Sequence, residues 1–263
     1  MTGLKDTQQQ KKFKVLLIGD SCVDQYIHGS VERLSPEAPV PILKQFRETK
    51  NPGMAANVRS NLEALGCDVD FITNSETIVK TRYIDDRTGY NLLRVDQENK
   101  IVPWSENTIY DCNDYDTIVV SDYAKGFLDY HHITNLRKKF NGPMFLDTKK
   151  TDLSMFHGIF VKINEAEYSR VKSINDNMIV TLGDRGAMLK TGRDPRYEKI
   201  FSAPKVEVFD VCGAGDTFLS ALTYKYLLTN DITKSITFAN KAAAITVQHL
   251  GVYAPTLEEI KCV

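Results

Sequence analysis

The stretch from Val206 to Phe218, VEVFDVCGAGDTF, decides the fold of this chain. Its first four residues alternate in polarity like the end of a β-strand, and Gly213 and Gly215 bracket a tight turn. From Asp216 onward, apolar residues recur at helical spacing. The sequence therefore predicts a strand, a glycine turn and the start of a helix.

This turn has the features of an anion-binding site. Glycine lets the backbone approach a ligand closely, and the N–H groups of a helix's first turn point outward at the positive end of the helix dipole. The carboxylate of Asp216 at this position is suited to accept a proton from a hydroxyl group held beside a phosphate. Asp is also a preferred N-cap residue, so capping of the helix is the alternative role.

Strands alternate with helices on both sides of this stretch, which predicts an α/β fold. We expect a doubly wound, mostly parallel sheet with helices on both faces, formed by a single domain over residues 13–263. The segment 1–12 lacks apolar residues in any periodic pattern and is predicted to be a disordered lead-in. The predicted strands of the sheet are Phe13–Ile18, Val69–Thr73, Ile118–Ser121, Met144–Leu146, Phe160–Ile163, Met178–Leu182 and Ala187–Leu189.

A second, smaller sheet is predicted from two other segments. Three prolines precede an alternating run that ends at Phe46, which favours an edge strand outside the main sheet. Two further alternating runs, Ile78–Ile84 and Tyr90–Val95, flank the turn sequence DDRTG of a hairpin. We expect these strands, from about residues 25–47 and 77–97, to form a β lid.

Charge and cysteine content narrow the possible partners. Lys and Arg number 33 against 34 Asp and Glu, so the net charge of -1 gives no general attraction to nucleic acid or to an acidic membrane. The five cysteines include no CxxC pair, which is typical of a reduced, cytoplasmic protein. No apolar run approaches the roughly 20 residues of a membrane span. We expect a cytoplasmic protein that binds neither nucleic acid nor membrane.

Four motifs, in this order and spacing, resemble those of the ribokinase-like (PfkB) sugar kinases. They are Gly19-Asp20 with Asp24, the helix start Gly53-Met-Ala-Ala-Asn57, the segment Asn164-Glu-Ala-Glu167, and the segment from Asp210 to Asp216. The resemblance covers nearly the whole chain. It implies an ATP-dependent sugar kinase that uses Mg²⁺.

A narrower likeness involves three further segments. RLSPEAPVP from Arg33, LRVD from Leu93 and SDYAKG from Ser121 resemble the kinase half of the bifunctional enzyme of ADP-heptose synthesis. That resemblance implies phosphorylation of the anomeric hydroxyl of D-glycero-D-manno-heptose 7-phosphate or an analogue. A kinase of a free pentose or hexose, and a non-catalytic binding protein on a trimmed kinase fold, are the alternatives.

The resemblance to sugar kinases also implies residue roles. Asp216 is the catalytic base, and the amides of Gly213, Ala214 and Gly215 stabilise the charge of the γ-phosphate. The implied sugar-binding residues are Asp24, Gly53 and Asn57, to which we add Asp122, Lys125, Arg82 and Arg94, with Lys80 as a further candidate, as groups for a phosphate on the sugar. The implied nucleotide-binding residues are Asn164, Glu167, Thr181, Gly183 and Asn240, with Glu167 holding Mg²⁺ through water.

The chain departs from the family pattern at two places. Met54 stands where the family usually has a second glycine, which narrows the space beside the sugar. Only Asn74-Ser-Glu76 separates the strand Val69–Thr73 from the lid hairpin, where the family has a further helix and strand. We therefore expect one trimmed α/β unit, and the exposed edges of the lid predict a homodimer formed through the lid strands.

Overall fold

A computed structural model of the chain describes residues 12–105, 112–192 and 195–262, which form twelve β-strands and six α-helices. The strands are β1 (Lys14–Gly19), β2 (Ser21–Leu34), β3 (Pro41–Met54), β4 (Asp68–Thr73), β5 (Ile78–Asp85), β6 (Tyr90–Glu98), β7 (Thr117–Asp122), β8 (Met144–Thr148), β9 (Phe160–Asn164), β10 (Asn177–Thr181), β11 (Ala187–Thr191) and β12 (Glu198–Phe201). The helices are α1 (Ala55–Ala64), α2 (Tyr130–Lys139), α3 (Glu165–Tyr168), α4 (Ala214–Thr229), α5 (Ile232–Thr246) and α6 (Leu257–Cys262). Apart from Lys12, the predicted lead-in lies outside the described residues.

The main sheet has eight strands in the order β12-β11-β10-β9-β8-β7-β1-β4. From β10 to β4 every neighbouring pair is parallel, whereas β11 and β12 join as an antiparallel edge. The predicted doubly wound, mostly parallel sheet is thus confirmed. Its carboxyl edge collects the polar residues that follow each parallel strand.

Two apolar layers cover this sheet because side chains alternate along each strand. In β1, Leu16 and Ile18 face the layer that contains α2, while Val15 and Leu17 face the layer that contains α1, α4 and α5. The predicted helices on both faces are therefore present. No helix in the described part of the chain is long and apolar enough to cross a membrane.

The lid is a four-stranded sheet in the order β3-β2-β5-β6. The predicted hairpin is confirmed as β5 and β6, and the proline-rich strand is β3 at the sheet edge. Strands β2 and β3 extend over residues 21–54, beyond the predicted 25–47, because β2 starts directly after Asp20 and β3 continues into α1 without a loop. The lid is thereby attached to the carboxyl end of β1.

The prediction of one trimmed α/β unit is confirmed for the described residues. Only residues 74–77 connect β4 to the first strand of the lid hairpin, and β4 is the edge of the main sheet as far as the described residues show. One side chain of this connection, Asn74, is buried and accepts a hydrogen bond from the N–H of Ser21 at 2.7 Å. The short connection is thus tied to the start of the lid.

Two predictions about the glycine stretch are wrong. Val206–Phe209 is not a strand: the N–H groups of Phe209 and Asp210 donate to the carbonyl of Val247 at 2.8 and 3.2 Å, so this segment lies against the end of α5 rather than in a ladder. Helix α4 begins two residues before Asp216, and α5 ends at Thr246, where the chain continues as tight turns.

Candidate active site

Polar side chains from several strands meet at the carboxyl edge of the main sheet, next to the glycine turn. Asp147 lies near the end of β8 and Asn164 ends β9, while Lys149 follows β8 directly. In open α/β sheets this edge is where ligands bind. The lid is attached at this edge, since β2 begins there and β3 ends there.

The carboxylate of Asp216 is held by donors from two other elements. The Asn57 amide of α1 donates to Oδ2 at 2.8 Å, and the hydroxyl of Tyr123, which follows β7, donates to Oδ1 at 2.9 Å. The N-cap of α4 is Gly213, at φ +77°, so the capping role considered for Asp216 is wrong. Its carboxylate faces the other elements of the site instead.

Burial is the main cause of a raised pKa at Asp216. Asp216 is only 6% exposed, and burial, aided by the nearby Asp147 carboxylate, raises its pKa to about 6. The hydrogen bonds from Asn57 and Tyr123 and the charge of Lys162 act in the opposite direction. A carboxylate with this pKa is ionised at neutral pH and is a stronger base than an exposed aspartate.

The Asn57 side of the site is fixed by a buried polar network. Asn61, one turn along α1, donates to the carbonyl and to Oδ1 of Asn57 at 2.8 and 3.2 Å. The Thr217 hydroxyl donates to Asn61 at 2.8 Å and accepts from Thr246 at 3.0 Å. The network joins α1, α4 and α5, so the orientation of the Asn57 amide is set by helix packing.

A buried ion pair lies beside the glycine turn. The Lys162 ammonium is 2.7 Å from Asp147 Oδ2, and a Cβ placed on Gly215 would lie only 2.9 Å from this ammonium. Sequence reasoning missed both residues of the pair and also Tyr123. A lysine inside the apolar strand β9 was a usable signal for Lys162, because lysine is rarely buried without a partner.

The predicted nucleotide residues Thr181, Gly183 and Asn240 come together. They line one cavity of about 480 Å³ with Ala214 and Gly215 of the glycine turn. The walls are mostly apolar, and the Asn240 amide donates to the carbonyl of Phe201 at 2.8 Å. A flat apolar ring fits this cavity, with the helix start of α4 at its end.

The Asn164 and Glu167 side chains cap α3 reciprocally. The Asn164 amide oxygen accepts from the Glu167 N–H, and the Glu167 carboxylate accepts from the Asn164 N–H, both at 2.8 Å. Lys149 also donates to Glu167, and its ammonium lies 5.0 Å from the centre of the Tyr123 ring. The carboxylate therefore belongs to the same cluster as Asp216.

A second cavity, of about 540 Å³, lies between the lid and the glycine stretch. Tyr26, Arg47 and Arg82 line it from the lid, and Cys212 lines it from the turn. Arg82 forms an ion pair with the buried Asp24, and its guanidinium lies 5.3 Å from the centre of the Tyr26 ring. The lid thus brings two cations to this cavity.

Three other predicted residues have partners of their own. Asp122 is 1% exposed, and Lys150 donates to its carboxylate at 2.7 Å. Lys125 pairs with Glu98 of the lid, and Arg94 donates twice to Asp96 at 2.7 Å. None of the three lines either cavity described above.

Gly53 and Met54 form the junction between β3 and α1. A Cβ on Gly53 would lie 2.2 Å from Asp24 Oδ2, so glycine is required for the position of that carboxylate. Met54 has φ +57° and ψ -132°, a backbone conformation that favours glycine, and its side chain is buried in the core. Met54, which replaces the expected second glycine, thus has a strained backbone beside the site.

The described residues contain no group of three or more His, Cys, Asp or Glu side chains arranged to hold a metal ion. A metal bound here would therefore take most of its ligands from a substrate and from water, as Mg²⁺ commonly does.

Comparison with known proteins identifies relatives that match most of the chain. Residues 153–260 match the model of the pfkB family carbohydrate kinases. The bifunctional protein HldE of Hydrogenovibrio crunogenus is 31% identical over 91% of this chain, and that of Helicobacter pylori is 32% identical over 94%. The chain spans 60% and 65% of the lengths of these two relatives.

Solved structures show the same fold at lower identity. A ribokinase from Thermotoga maritima has a TM-score of 0.71 at 18% identity, covering 95% of this chain and 98% of its own. An Arabidopsis thaliana ribokinase complexed with ribose and ATP has a TM-score of 0.71 at 15% identity, covering 96% of this chain and 98% of its own. The expected ribokinase-like fold is confirmed.

The raised pKa of Asp216 predicts that its charge destabilises the folded protein. The folded pKa of about 6 lies above the unfolded value of 3.8, so stability is highest where both states are protonated and falls as the pH rises through 6. We expect Asp216→Asn to increase the free energy of unfolding at pH 8, by on the order of 1–3 kcal/mol, with a smaller gain at pH 4.5.

Urea unfolding at both pH values measures this difference. Asp122→Asn is the matched control, because that buried carboxylate has a lysine partner and its loss should destabilise the protein at pH 8. A destabilised Asp216→Asn variant at pH 8 contradicts the prediction.

Proposed function

We propose, on the premise that this chain belongs to the pfkB family of carbohydrate kinases, that it transfers the γ-phosphate of ATP to a hydroxyl group of a sugar. One observation carries the proposal: a buried carboxylate of raised pKa, Asp216, stands at a glycine-bracketed helix start that has a cavity on each side. Val211 lines both cavities, so both lie next to this stretch.

In the proposed reaction Asp216 is the general base. It takes the proton of the sugar hydroxyl as the hydroxyl oxygen attacks the γ-phosphorus, and the bond between this phosphorus and the β,γ-bridging oxygen breaks to release ADP. The raised pKa of Asp216 suits this step, because a general base works best when its pKa lies near the working pH.

The negative charge of the transferred group would be stabilised at the start of α4. The amides of Gly213, Ala214 and Gly215 stand at the positive end of the helix dipole, although the Ala214 N–H already makes a long bond of 3.3 Å to Val211. Lys162 adds a cation beside Gly215, and the missing Cβ there keeps the two in contact distance.

ATP would occupy the cavity lined by Thr181, Gly183 and Asn240, with its phosphates toward the glycine turn. When bound, Mg²⁺ would neutralise charge on these phosphates. Glu167, with Asn164, is the proposed protein contact of the Mg²⁺ and acts through water. A single carboxylate in a cluster that already holds Lys149 fits such indirect binding.

The sugar would lie between the lid and Asp216, with Asp24 and Asn57 as hydrogen-bonding partners. We infer that it carries a phosphate, D-glycero-D-manno-heptose 7-phosphate or an analogue, as the resemblance of the SDYAKG and LRVD segments implies. Arg47 and Arg82 in the lid cavity support this inference because they supply cations for a phosphate group. Lys125 and Arg94 do not line this cavity, so we assign them a smaller part.

A coupled assay of ADP release over phosphorylated and free sugars tests the activity. We expect turnover with a heptose phosphate and a loss of roughly 10²–10⁴-fold in kcat in Asp216→Asn, since a positioned base contributes that much. Asp68→Asn, at the amino end of β4, is the control and should keep full activity. ADP release that the Asp216→Asn variant retains in full contradicts the mechanism, and no release with any sugar favours a binding protein.

The lid arginines separate a phosphorylated substrate from a free sugar. We expect Arg82→Ala to raise the KM for the sugar phosphate by roughly 10-fold or more. The variant also removes the ion-pair partner of Asp24, and this smaller effect should change the KM for the sugar phosphate and for the free sugar alike. Arg94→Ala should change the KM less, because Arg94 does not line the lid cavity. Equal effects of Arg82→Ala on phosphorylated and unphosphorylated sugars would show that no phosphate is bound there.

We also propose a homodimer through the lid. In β6, Leu93 pairs with Tyr83 and therefore lies on the lid face opposite to Arg82 and Arg94, and it is 56% exposed. An exposed apolar face next to an unpaired strand edge favours association with a second copy.

Sedimentation at several protein concentrations tests this assembly. We expect a dimer for the unmodified chain and a monomer for Leu93→Glu, since a charge would be buried against the partner. Leu228→Glu on α4, a leucine that is also exposed, should leave the dimer intact. A monomer at every concentration rules out the lid dimer.

A further inference from the structure

Both oxygens of the Asp216 carboxylate already accept a hydrogen bond from the protein. Oδ2 accepts from Asn57, whose own amide oxygen and carbonyl are held by Asn61. Oδ1 accepts from the hydroxyl of Tyr123. An incoming hydroxyl that is to lose its proton must come within hydrogen-bond distance of one of these oxygens.

The two sides of the carboxylate differ in how firmly they are closed. Asn57 is 2% exposed and belongs to a network that joins three helices, so the Oδ2 side cannot open without moving α1. Tyr123 is only partly buried and lies in the segment between β7 and α2. The Oδ1 side is therefore closed by one side chain, whereas the Oδ2 side is closed by a network of helices.

The backbone of Tyr123 is fixed although its side chain reaches across the site. Its N–H donates to Oδ2 of the buried Asp20 at 2.7 Å, and the next residue, Ala124, has φ +55°. The ammonium groups of Lys149 and Lys80 lie 5.0 and 5.7 Å from the centre of its ring. The backbone of this loop is therefore held by contacts that do not involve the bond between the Tyr123 hydroxyl and Asp216.

A phenol presents the same O–H donor as a sugar alcohol. We propose that Tyr123 is a positioning residue whose hydroxyl occupies, in the sugar-free protein, the place on Asp216 Oδ1 that the acceptor hydroxyl takes in the complex. This inference rests on the proposed kinase function. The sugar displaces the tyrosine hydroxyl, and until then Tyr123 orients the carboxylate and keeps water from it.

Keeping water away matters because water on Oδ1 would be activated like the sugar. Its oxygen would attack the γ-phosphorus of ATP, Asp216 would take its proton, and ADP would leave as the bond to the β,γ-bridging oxygen breaks. Tyr123 therefore suppresses hydrolysis of ATP in the absence of sugar. Transfer to the phenol oxygen itself is not part of the proposal.

The pH dependence follows from the groups that surround Asp216. The hydrogen bond from Tyr123 stabilises the ionised carboxylate, so its loss raises the pKa of Asp216 in the sugar-free protein. In the complex the sugar hydroxyl has replaced it, so the loss has no such effect. The other groups that face the carboxylate are unchanged in a Tyr123 variant: Asn57, Asp147, Lys162, Lys149 and Cys22.

The decisive variant is Tyr123→Phe, which removes one oxygen and keeps the ring beside the two lysines. We expect the acid limb of kcat/KM, which reports the sugar-free enzyme, to move up by roughly 0.5–1 pH unit while the acid limb of kcat stays in place. Sugar-free release of ADP should rise roughly 10-fold because water gains access to the base. Failure of either result overturns the proposal.

Tyr115→Phe is the matched control. Its hydroxyl donates to Asp70 at 2.8 Å, a tyrosine-to-aspartate bond of nearly the same length at the other end of β7. This variant should change neither the pH limbs nor the sugar-free release of ADP. A general loss of stability caused by removing a tyrosine hydroxyl would appear in both variants in thermal melts.

A direct titration separates this inference from the proposed function. ¹³C NMR of the Asp216 carboxyl in the sugar-free protein should give a higher pKa in Tyr123→Phe than in the unmodified chain, whether or not any sugar is phosphorylated. An unchanged pKa overturns the role of Tyr123. Absence of ADP release with every sugar, together with a raised pKa, instead overturns the kinase assignment and leaves the Tyr123 contact established.

Discussion

The hydrogen bond between Asn57 and Asp216 is the interaction on which the rest of the site depends. It joins the first turn of α1 to the first turn of α4 and fixes a buried carboxylate at the positive end of a helix. Burying this charge raises the pKa of Asp216, so the bond holds in place a group that weakens the fold. Such a cost is typical of sites in which a carboxylate is tuned for proton transfer.

The position of α1 follows from the way the lid enters the main domain. Strand β3 continues into α1 through Gly53 and Met54, and the N–H of Ala55 donates to the carbonyl of Asp20 at 3.0 Å. The left-handed backbone of Met54 is the strained point of this junction. The lid is therefore coupled to Asp216, because a movement of β3 acts directly on the helix that carries Asn57.

Paired charges surround the carboxylate of Asp216. Asp147 and Lys162 form a buried pair below the glycine turn, and Lys149 lies beside the Tyr123 ring. On the lid side, Arg82 pairs with Asp24. Each of these cations has a carboxylate partner, so the site keeps little net charge while it presents positive groups to phosphates from both sides.

Local patterns were enough to predict much of this protein. The alternating runs around DDRTG predicted the β5–β6 hairpin, and the glycine turn predicted the start of α4 to within two residues, because turn chemistry and side-chain periodicity act over short distances. The segment Val206–Phe209 shows the limit of such patterns: it alternates like a strand but finds a helix end instead of a neighbouring strand.

The partners of Asp216 were decided only by the tertiary structure. Asn57 and Tyr123 lie 159 and 93 residues away in the chain, and the pairing of Arg82 with Asp24 depends on the register of β2 and β5. No local pattern encodes such contacts, because they result from how the helices and sheets pack. The sequence by itself determined which carboxylate stands at the glycine turn, and the packing of α1, β7 and the lid decided what holds it and what covers it.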